Sequence, residues 1–151
     1  MTDTQTDPTD STDSTGPAGP DQPSEAQRYL DDMVARRGYV LDYHKVMAAQ
    51  DFPVLKAADD LVTAAYLSPR LLSAQTKELL FILSLTVLRS QPAHIASHIR
   101  VALKLGVTPE EILEALEIAL PEAGVVAFQH GFDVWREVVG AAGLEPTPVD
   151  G

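Results

Sequence analysis

The segment at residues 73–90, SAQTKELLFILSLTVLRS, is the most apolar long stretch of this chain and limits the folds open to it. As a helix it would present apolar side chains almost all the way round its axis. Such a helix is usually buried on most sides, either inside its own domain or across a subunit interface. A chain of 151 residues can bury one substantial core but not two. The segment therefore predicts a central core helix of a single domain, with leftover apolar surface that a homo-oligomer would cover.

Helix start and stop signals surround this segment on both sides. Ser24 and Ser73 are placed to cap helices, Thr108 forms a capping box with Glu111, and Gly38 is placed to end a helix. No alternating strand of convincing length is present. The chain is therefore predicted to be all-α, with about six to seven helices in a bundle. The predicted helices occupy residues 24–38, 39–50, 54–68, 73–90, 92–106, 109–120 and 121–139, the last of them opened by Pro121.

The two ends of the chain differ in composition from its middle. Residues 1–23 consist mainly of Thr, Asp, Pro, Ser and Gly, so little burial could offset the entropy cost of ordering them. We expect a disordered acidic tail at 1–23, a single helical domain at 24–143 and a disordered C-terminus at 144–151. The N-terminus has neither the positive start nor the apolar run of a signal peptide, and no apolar run reaches the ~20 residues of a membrane span. The expectation is a soluble, cytoplasmic protein.

Charge and cysteine content exclude several classes of function. The chain has 22 acidic and 11 basic residues, and six of the acids lie between Asp3 and Glu25, where there is no Lys or Arg. A negative domain disfavours nucleic acid or an anionic membrane as a partner, but it does not exclude a small anionic ligand. Cysteine is absent, which excludes disulfides, thiolate metal sites and thiol nucleophiles. Chemistry must therefore come from His, Glu, Asp, Arg, Tyr or Ser.

His94 and His98 are four residues apart and would lie one above the other on a helix, in line with Val101 and Leu105. Three interpretations remain open from spacing alone. One histidine is structural in the core and the other at the surface, or the pair faces a pocket, or the pair binds a metal. The metal interpretation needs a third ligand from another helix. The available third ligands are Glu78, Glu122 and His130.

Glu78 and His130 each have two interpretations as well. Glu78 opens the apolar helix, where it is either solvated and favoured by the helix dipole or faces a pocket as an acid or base. His130 lies in AFQHGF in line with Ala127 and Val134, so it faces inward or an interface. A packing role with one satisfied nitrogen is the simpler interpretation of His130.

Half of the chain, from about residue 66 to 139, resembles the carboxymuconolactone decarboxylase and alkylhydroperoxidase D-like family. The resembling segments are TKELLFILSLTVL, HIASHIRVALKLGVTPEEILEAL and AGVVAF. The resemblance implies an all-helical fold of small subunits that assemble as trimers or hexamers. Its most specific part is the string His98-x-x-x-Ala102, Gly106, Thr108, Glu110-Glu111-Ile112.

The resemblance also separates the two branches of the family. In the peroxidase branch this helix reads Cys-x-x-Cys-x-x-x-His, and the cysteine positions here hold Gln91 and His94. A thiol peroxidase is thereby excluded, while Glu78 and His98 of the family's relay are present. The decarboxylase branch likewise lacks the cysteines and keeps the histidine. This chain differs from that branch in having Glu78 and in having AAYLSPRLL where tryptophans are usual.

The function implied by the resemblance is a cofactor-free decarboxylase acting on a small unsaturated lactone or keto acid, as in aromatic-compound degradation. His98 is expected to be the proton donor, and Glu78 to fix its tautomer or relay the proton. His94, Gln91 and His130 are expected to bind the small anionic substrate. Two alternatives stay open: a non-catalytic binding or scaffold subunit of the same fold, and a metal-binding helical protein using His94 and His98.

Overall fold

The computed structural model describes residues 23–140, and the regular elements within them are all helices, without a strand. Seven of the α-helices have nine or more residues, and an eighth, α7, has five. The helices are α1 (Glu25–Arg37), α2 (Asp42–Gln50), α3 (Phe52–Val62), α4 (Ala74–Val87), α5 (Pro92–Lys104), α6 (Pro109–Glu117), α7 (Ala119–Ala123) and α8 (Val125–Val139). The predicted all-α fold is confirmed. The predicted tail at 1–23, except Pro23, and the predicted C-terminal segment 144–151 lie outside the described residues.

Local capping signals placed several helix starts correctly. The Ser24 hydroxyl accepts from the backbone N–H of Gln27 at 3.1 Å, and the Ser73 hydroxyl accepts from that of Thr76 at 3.1 Å. The capping box of Thr108 and Glu111 forms in both directions. Each cap satisfies N–H groups that have no partner within the helix, which is why these polar residues define helix starts.

Several predicted boundaries were wrong, and the second helix, predicted from residue 39, begins at Asp42. The last helix does not open at Pro121, because Gly124 adopts a φ of 85° and separates α7 from the long α8. The third helix begins at Phe52 rather than residue 54, with Asp51 as its cap, and its last turn widens into a π-helix at Thr63–Leu67. On the same helix the apolar side chains of Val54 and Leu61 are exposed.

The apolar core divides into two clusters. The larger one joins α4, α5, α6 and α8, and the smaller joins α1, α2 and α3. The larger cluster is built on Ile82, Leu85, Ile95, Ala96, Ile99, Ala102, Val107, Ile112, Leu116, Val134 and Trp135. Helix α4 lies at the centre of the larger cluster, as its composition predicts, although Leu80 remains half exposed.

A buried ion network holds the N-terminal helices together. The carboxylate of Asp59 on α3 accepts from Tyr29 at 2.8 Å, from Arg36 at 2.7 Å and from Arg37. Asp59 and Arg37 are both buried, so each charge depends on the other for compensation. Burial alone would raise the pKa of Asp59, but the hydrogen bonds from Arg36 and Tyr29 and the charge of Arg37 lower it below its ordinary value.

None of the helices between residues 23 and 140 is long and apolar enough to cross a membrane.

Candidate active site

The central feature of the site is a hydrogen-bonded pair formed by Glu78 of α4 and His98 of α5. Both side chains are almost completely buried, with 1% relative exposure for each residue. The Nδ1 atom of His98 lies 2.7 Å from Oε2 of Glu78. With the carboxylate of Glu78 as the acceptor, Nδ1 of His98 is the donor of this hydrogen bond, and both groups lie away from solvent. The interpretation of Glu78 as a solvated first-turn acid is therefore wrong.

Helix packing places this pair. Glu78 lies on the buried side of α4 with Ile82 and Leu85, at helical spacings of four and seven residues. His98 lies on the buried side of α5 with Ile95 and Ala102. Because α4 and α5 pack directly against each other, their two polar side chains meet inside an otherwise apolar interface.

Two tyrosines extend the pair into a chain of four side chains. The hydroxyl of Tyr66 donates to the second carboxylate oxygen of Glu78, and the hydroxyl of Tyr39 lies 3.1 Å from Nε2 of His98. Both oxygens of Glu78 and both nitrogens of His98 therefore have partners. This hydrogen-bonded chain, Tyr39–His98–Glu78–Tyr66, is called the relay below.

Tyr66 is held in place by the π-helical turn. The backbone N–H of Ser68 donates to the carbonyl of Thr63, five residues earlier, at 2.9 Å. Lys77 donates to the carbonyl oxygens of Tyr66 and Ser68 at 2.7 and 2.9 Å, which ties this turn to α4. Single π-helical turns often occur at functional sites because they reorient a side chain locally. Here the turn positions Tyr66 next to Glu78.

Aromatic contacts enclose the imidazole of His98. The ring of Phe81 stacks on it with an interplanar angle of 7° and a centroid distance of 4.7 Å. The ring of Tyr39 meets it edge-on at 5.3 Å and that of His94 lies at 5.2 Å. Burial raises the pKa of Tyr39 to about 12, so its hydroxyl stays protonated at neutral pH.

The predicted substrate-binding residues lie near the start of α5. His94 is half-buried, and its Nδ1 lies 3.3 Å from the hydroxyl of Ser90. Nε2 of His130 donates to the carbonyl oxygen of the same Ser90 at 2.8 Å. Gln91 is exposed at the N-cap position of α5 and makes no side-chain capping bond. Ser90 therefore links two of the three predicted residues, and Gln91 adjoins it along the chain.

The protonation state of His94 determines how it could bind an anion. Burial lowers its pKa below the ordinary 6.5, and the neighbouring His98 lowers it further. His94 is therefore neutral at neutral pH in the free protein. It can still donate a hydrogen bond, since a neutral imidazole carries one N–H.

No cluster of three His, Asp or Glu side chains within residues 23–140 is arranged to hold a metal ion. His94 and His98 are adjacent, but His98 has both nitrogens engaged by Tyr39 and Glu78. The metal-binding alternative has no support from the described part of the chain.

A cavity of about 560 Å³ adjoins the buried end of the relay. Tyr66 and Phe81, which contact Glu78 and His98, also contribute to its wall. Most of its other lining side chains are apolar, and two of them, Leu80 and Ile118, are half exposed. The cavity is thus part of an apolar face formed by α4 and the α6–α7 connection.

Comparison with known proteins identifies the family. The sequence profile of the Carboxymuconolactone decarboxylase family matches residues 53–137, more than half of the chain. This chain belongs to the carboxymuconolactone decarboxylase family. The match includes Glu78, His98 and Tyr66, and it begins after Tyr39. No individual curated protein matches the chain.

The resemblance drawn from the sequence is thereby confirmed at the level of family and fold. The two members of the relay that the sequence missed are Tyr39 and Tyr66. Tyr66 lies at the beginning of the resembling segment but in a stretch predicted as ordinary helix. Tyr39 is separated from its partner His98 by 59 residues, and nothing in its local pattern indicates that contact.

Proposed function

We propose that this member of the carboxymuconolactone decarboxylase family is a cofactor-free decarboxylase of a small unsaturated lactone or keto acid, with His98 as the proton donor. The observation that supports the proposal is the fully buried Glu78–His98 pair. An imidazole can gain and lose a proton near neutral pH, and a carboxylate on Nδ1 both orients it and stabilises the charge it acquires.

The reaction needs no external electron sink. When a γ-carboxylated unsaturated lactone loses carbon dioxide, the electron pair of the broken carbon–carbon bond moves through the ring alkene onto the lactone carbonyl oxygen. The resulting conjugated anion then takes a proton on a ring carbon. The protein must therefore supply a hydrogen-bond donor near the developing oxyanion and a proton donor near that carbon.

The residues of the relay can supply both requirements. With Glu78 holding the proton on Nδ1, a protonated His98 has its second proton on Nε2, the side that faces Tyr39. His94 is half-buried beside His98 and can donate a hydrogen bond to the substrate carboxylate or to the carbonyl oxygen. Gln91 and His130, near the start of the same helix, are proposed to contact the rest of the substrate.

The substrate anion is expected to bind together with a proton. The pKa of His94 lies below 6.5 in the free protein. A substrate carboxylate beside His94 would favour the charged imidazole and so raise this pKa. Binding should therefore tighten as the pH falls towards that value. This is a property of the ligand-binding step and does not depend on the chemistry that follows.

The test measures carbon dioxide release from a panel of unsaturated lactone carboxylates and keto acids. Once wild type turns over one of them, His98→Gln should lower kcat by ~100-fold or more while the protein stays folded. His94→Gln should weaken substrate binding more than it lowers kcat, because it acts on the bound ground state as well. Arg100→Gln is the matched control, since Arg100 is exposed on the same helix.

The main alternative is that the protein is a binding or scaffold subunit, in which the relay only stabilises the core. That alternative predicts that wild type releases no carbon dioxide from any member of the panel. It also predicts that His98→Gln affects stability alone. Loss of a stoichiometric metal on substituting His94 and His98 would instead support the metal-binding alternative.

A further inference from the structure

We infer that Tyr39 is the terminal proton-transfer residue of this site, so that the proton leaving Nε2 of His98 reaches the substrate through the Tyr39 hydroxyl. The inference rests on the proposed function. It adds a catalytic residue that lies outside the residues matched by the family, 53–137.

His98 is the proposed source of the proton, but it has almost no exposed surface, so its proton must reach the substrate through another group. The residue is 1% exposed, its Nδ1 is bound to Glu78, and one face of its ring is covered by Phe81. Its remaining nitrogen, Nε2, faces the hydroxyl of Tyr39 at 3.1 Å. Tyr39 is only half-buried, so its hydroxyl is the group of the relay that can pass a proton from Nε2 to a bound substrate.

The proton transfer balances without any further reactant. The Tyr39 hydroxyl gives its proton to the ring carbon of the conjugated anion, and a carbon–hydrogen bond forms as the oxygen–hydrogen bond breaks. The Tyr39 oxygen takes the Nε2 proton of the imidazolium at the same time. His98 is left neutral and keeps its Nδ1 proton, which stays hydrogen-bonded to Glu78, and one proton from solvent restores the starting state.

Burial of Tyr39 supports this role. Its pKa is raised to about 12, so the hydroxyl is present as a donor throughout the neutral range. The same burial disfavours a free phenolate at Tyr39. Tyr39 should therefore lose its hydroxyl proton only as it receives the Nε2 proton of His98.

The backbone before Tyr39 holds it against α5. Gly38 has a φ of 83°, a conformation that side chains rarely adopt, and ends α1. A Cβ atom at this position would also lie 3.3 Å from Cγ2 of Val101 on α5. The turn between α1 and α2 therefore packs closely on the helix that carries His98, and it directs Tyr39 to Nε2.

The experiment compares Tyr39→Phe and Tyr39→Ala with wild type, using Tyr43→Phe as the matched control. Tyr43 lies in the neighbouring α2, is exposed and is not one of the four side chains of the relay, so its substitution controls for loss of a nearby hydroxyl. Tyr39→Phe should lower kcat by ~100-fold or more with little change in KM, and Tyr43→Phe should behave as wild type. If Tyr39 only blocks access to His98, Tyr39→Ala will match or exceed wild-type turnover, and the inference is overturned.

A second measurement needs no substrate. In protein labelled with ¹⁵N at histidine, NMR can follow the Nε2 resonance of His98 and the exchange with solvent of the proton that Nε2 carries when the imidazole is protonated. Tyr39→Phe should shift the resonance and slow the exchange, because the hydroxyl that carries the proton outward is gone. Unchanged exchange would overturn the inference. Altered exchange in a protein that decarboxylates nothing would instead refute the proposed function and leave the proton route standing.

Discussion

Gly131, in the middle of α8, offers a sharp test of how tightly the central helices pack. A Cβ atom added there would lie 2.5 Å from both Cγ2 and Oγ1 of Thr86 on α4 and 2.7 Å from Cδ2 of Leu116 on α6. Thr86 and Leu116 are completely buried. Ordinary van der Waals contact needs 3.4–4 Å, so α8 must move or two core side chains must leave their positions.

The expected cost of Gly131→Ala follows from two opposing effects. Alanine is favoured over glycine inside a helix by ~1 kcal/mol. Overpacking a core costs typically ~1–3 kcal/mol, and the upper end applies because two side-chain atoms of Thr86 clash at once. The net loss should be about 2 kcal/mol. For a domain of this size that corresponds to a fall in Tm of roughly 6–12 °C.

The assay is urea unfolding and calorimetry of Gly131→Ala, Thr86→Ala and the double variant. Thr86→Ala removes both clashing atoms, and within the described residues its Oγ1 has no hydrogen-bond partner to lose. The loss of unfolding free energy in the double variant should therefore be smaller, by roughly 1 kcal/mol, than the sum of the losses in the two single variants. If Gly131→Ala is as stable as wild type, or if the two effects simply add, the packing argument is refuted.

Three further outcomes are expected. Asp59→Asn should lower the unfolding free energy by ~3–5 kcal/mol in urea titrations, since it leaves its two arginine partners without their shared carboxylate; a loss below 1 kcal/mol would contradict this. Stability should fall as the pH drops below 6.5, because burial lowers the pKa of His44 and His94 in the folded protein and the unfolded chain therefore takes up protons first; a flat urea midpoint between pH 7 and pH 5 would count against it. Light scattering should report a homo-oligomer, with a trimer or hexamer as the proposed state, because Leu80 and Ile118 belong to an apolar face that one subunit leaves uncovered; a monomer at micromolar concentration would overturn this proposal.

Local signals in the sequence determined much of the fold. The hydroxyls of Ser24 and Ser73 and the Thr108–Glu111 box mark helix starts because each satisfies backbone groups within a few residues. Such interactions can be predicted from the chain alone. Gly124 was missed because Pro121 also suits a helix start, and only the positive φ of Gly124 reveals the break.

Tertiary contacts decided what the local pattern could not. On α3 the apolar Val54 and Leu61 are exposed, and the buried side of the helix carries Leu55 and the charged Asp59. The arginines of α1 make that burial possible, and their distance from Asp59 cannot be derived from periodicity.

The candidate site could likewise be predicted only in part from the sequence. Glu78 and His98 were proposed together because a family resemblance linked them, while helical spacing alone left each with a structural interpretation. Their contact depends on the packing of α4 against α5, across 20 residues of sequence. Tyr39 and Tyr66 enter the relay through a turn between helices and through a π-helical turn, and neither feature has a signature that periodicity detects.

In the proposed function, the buried Glu78–His98 pair works as an acid–base pair and does not merely stabilise the core. Glu78→Gln tests it most directly, because the amide oxygen can still accept from Tyr66 while its NH₂ group meets Nδ1 of His98 and imposes the opposite tautomer. We expect kcat to fall roughly 100- to 10,000-fold, with the Tm within a few degrees of wild type. A folded Glu78→Gln protein that decarboxylates the substrate at the wild-type rate would contradict the claim.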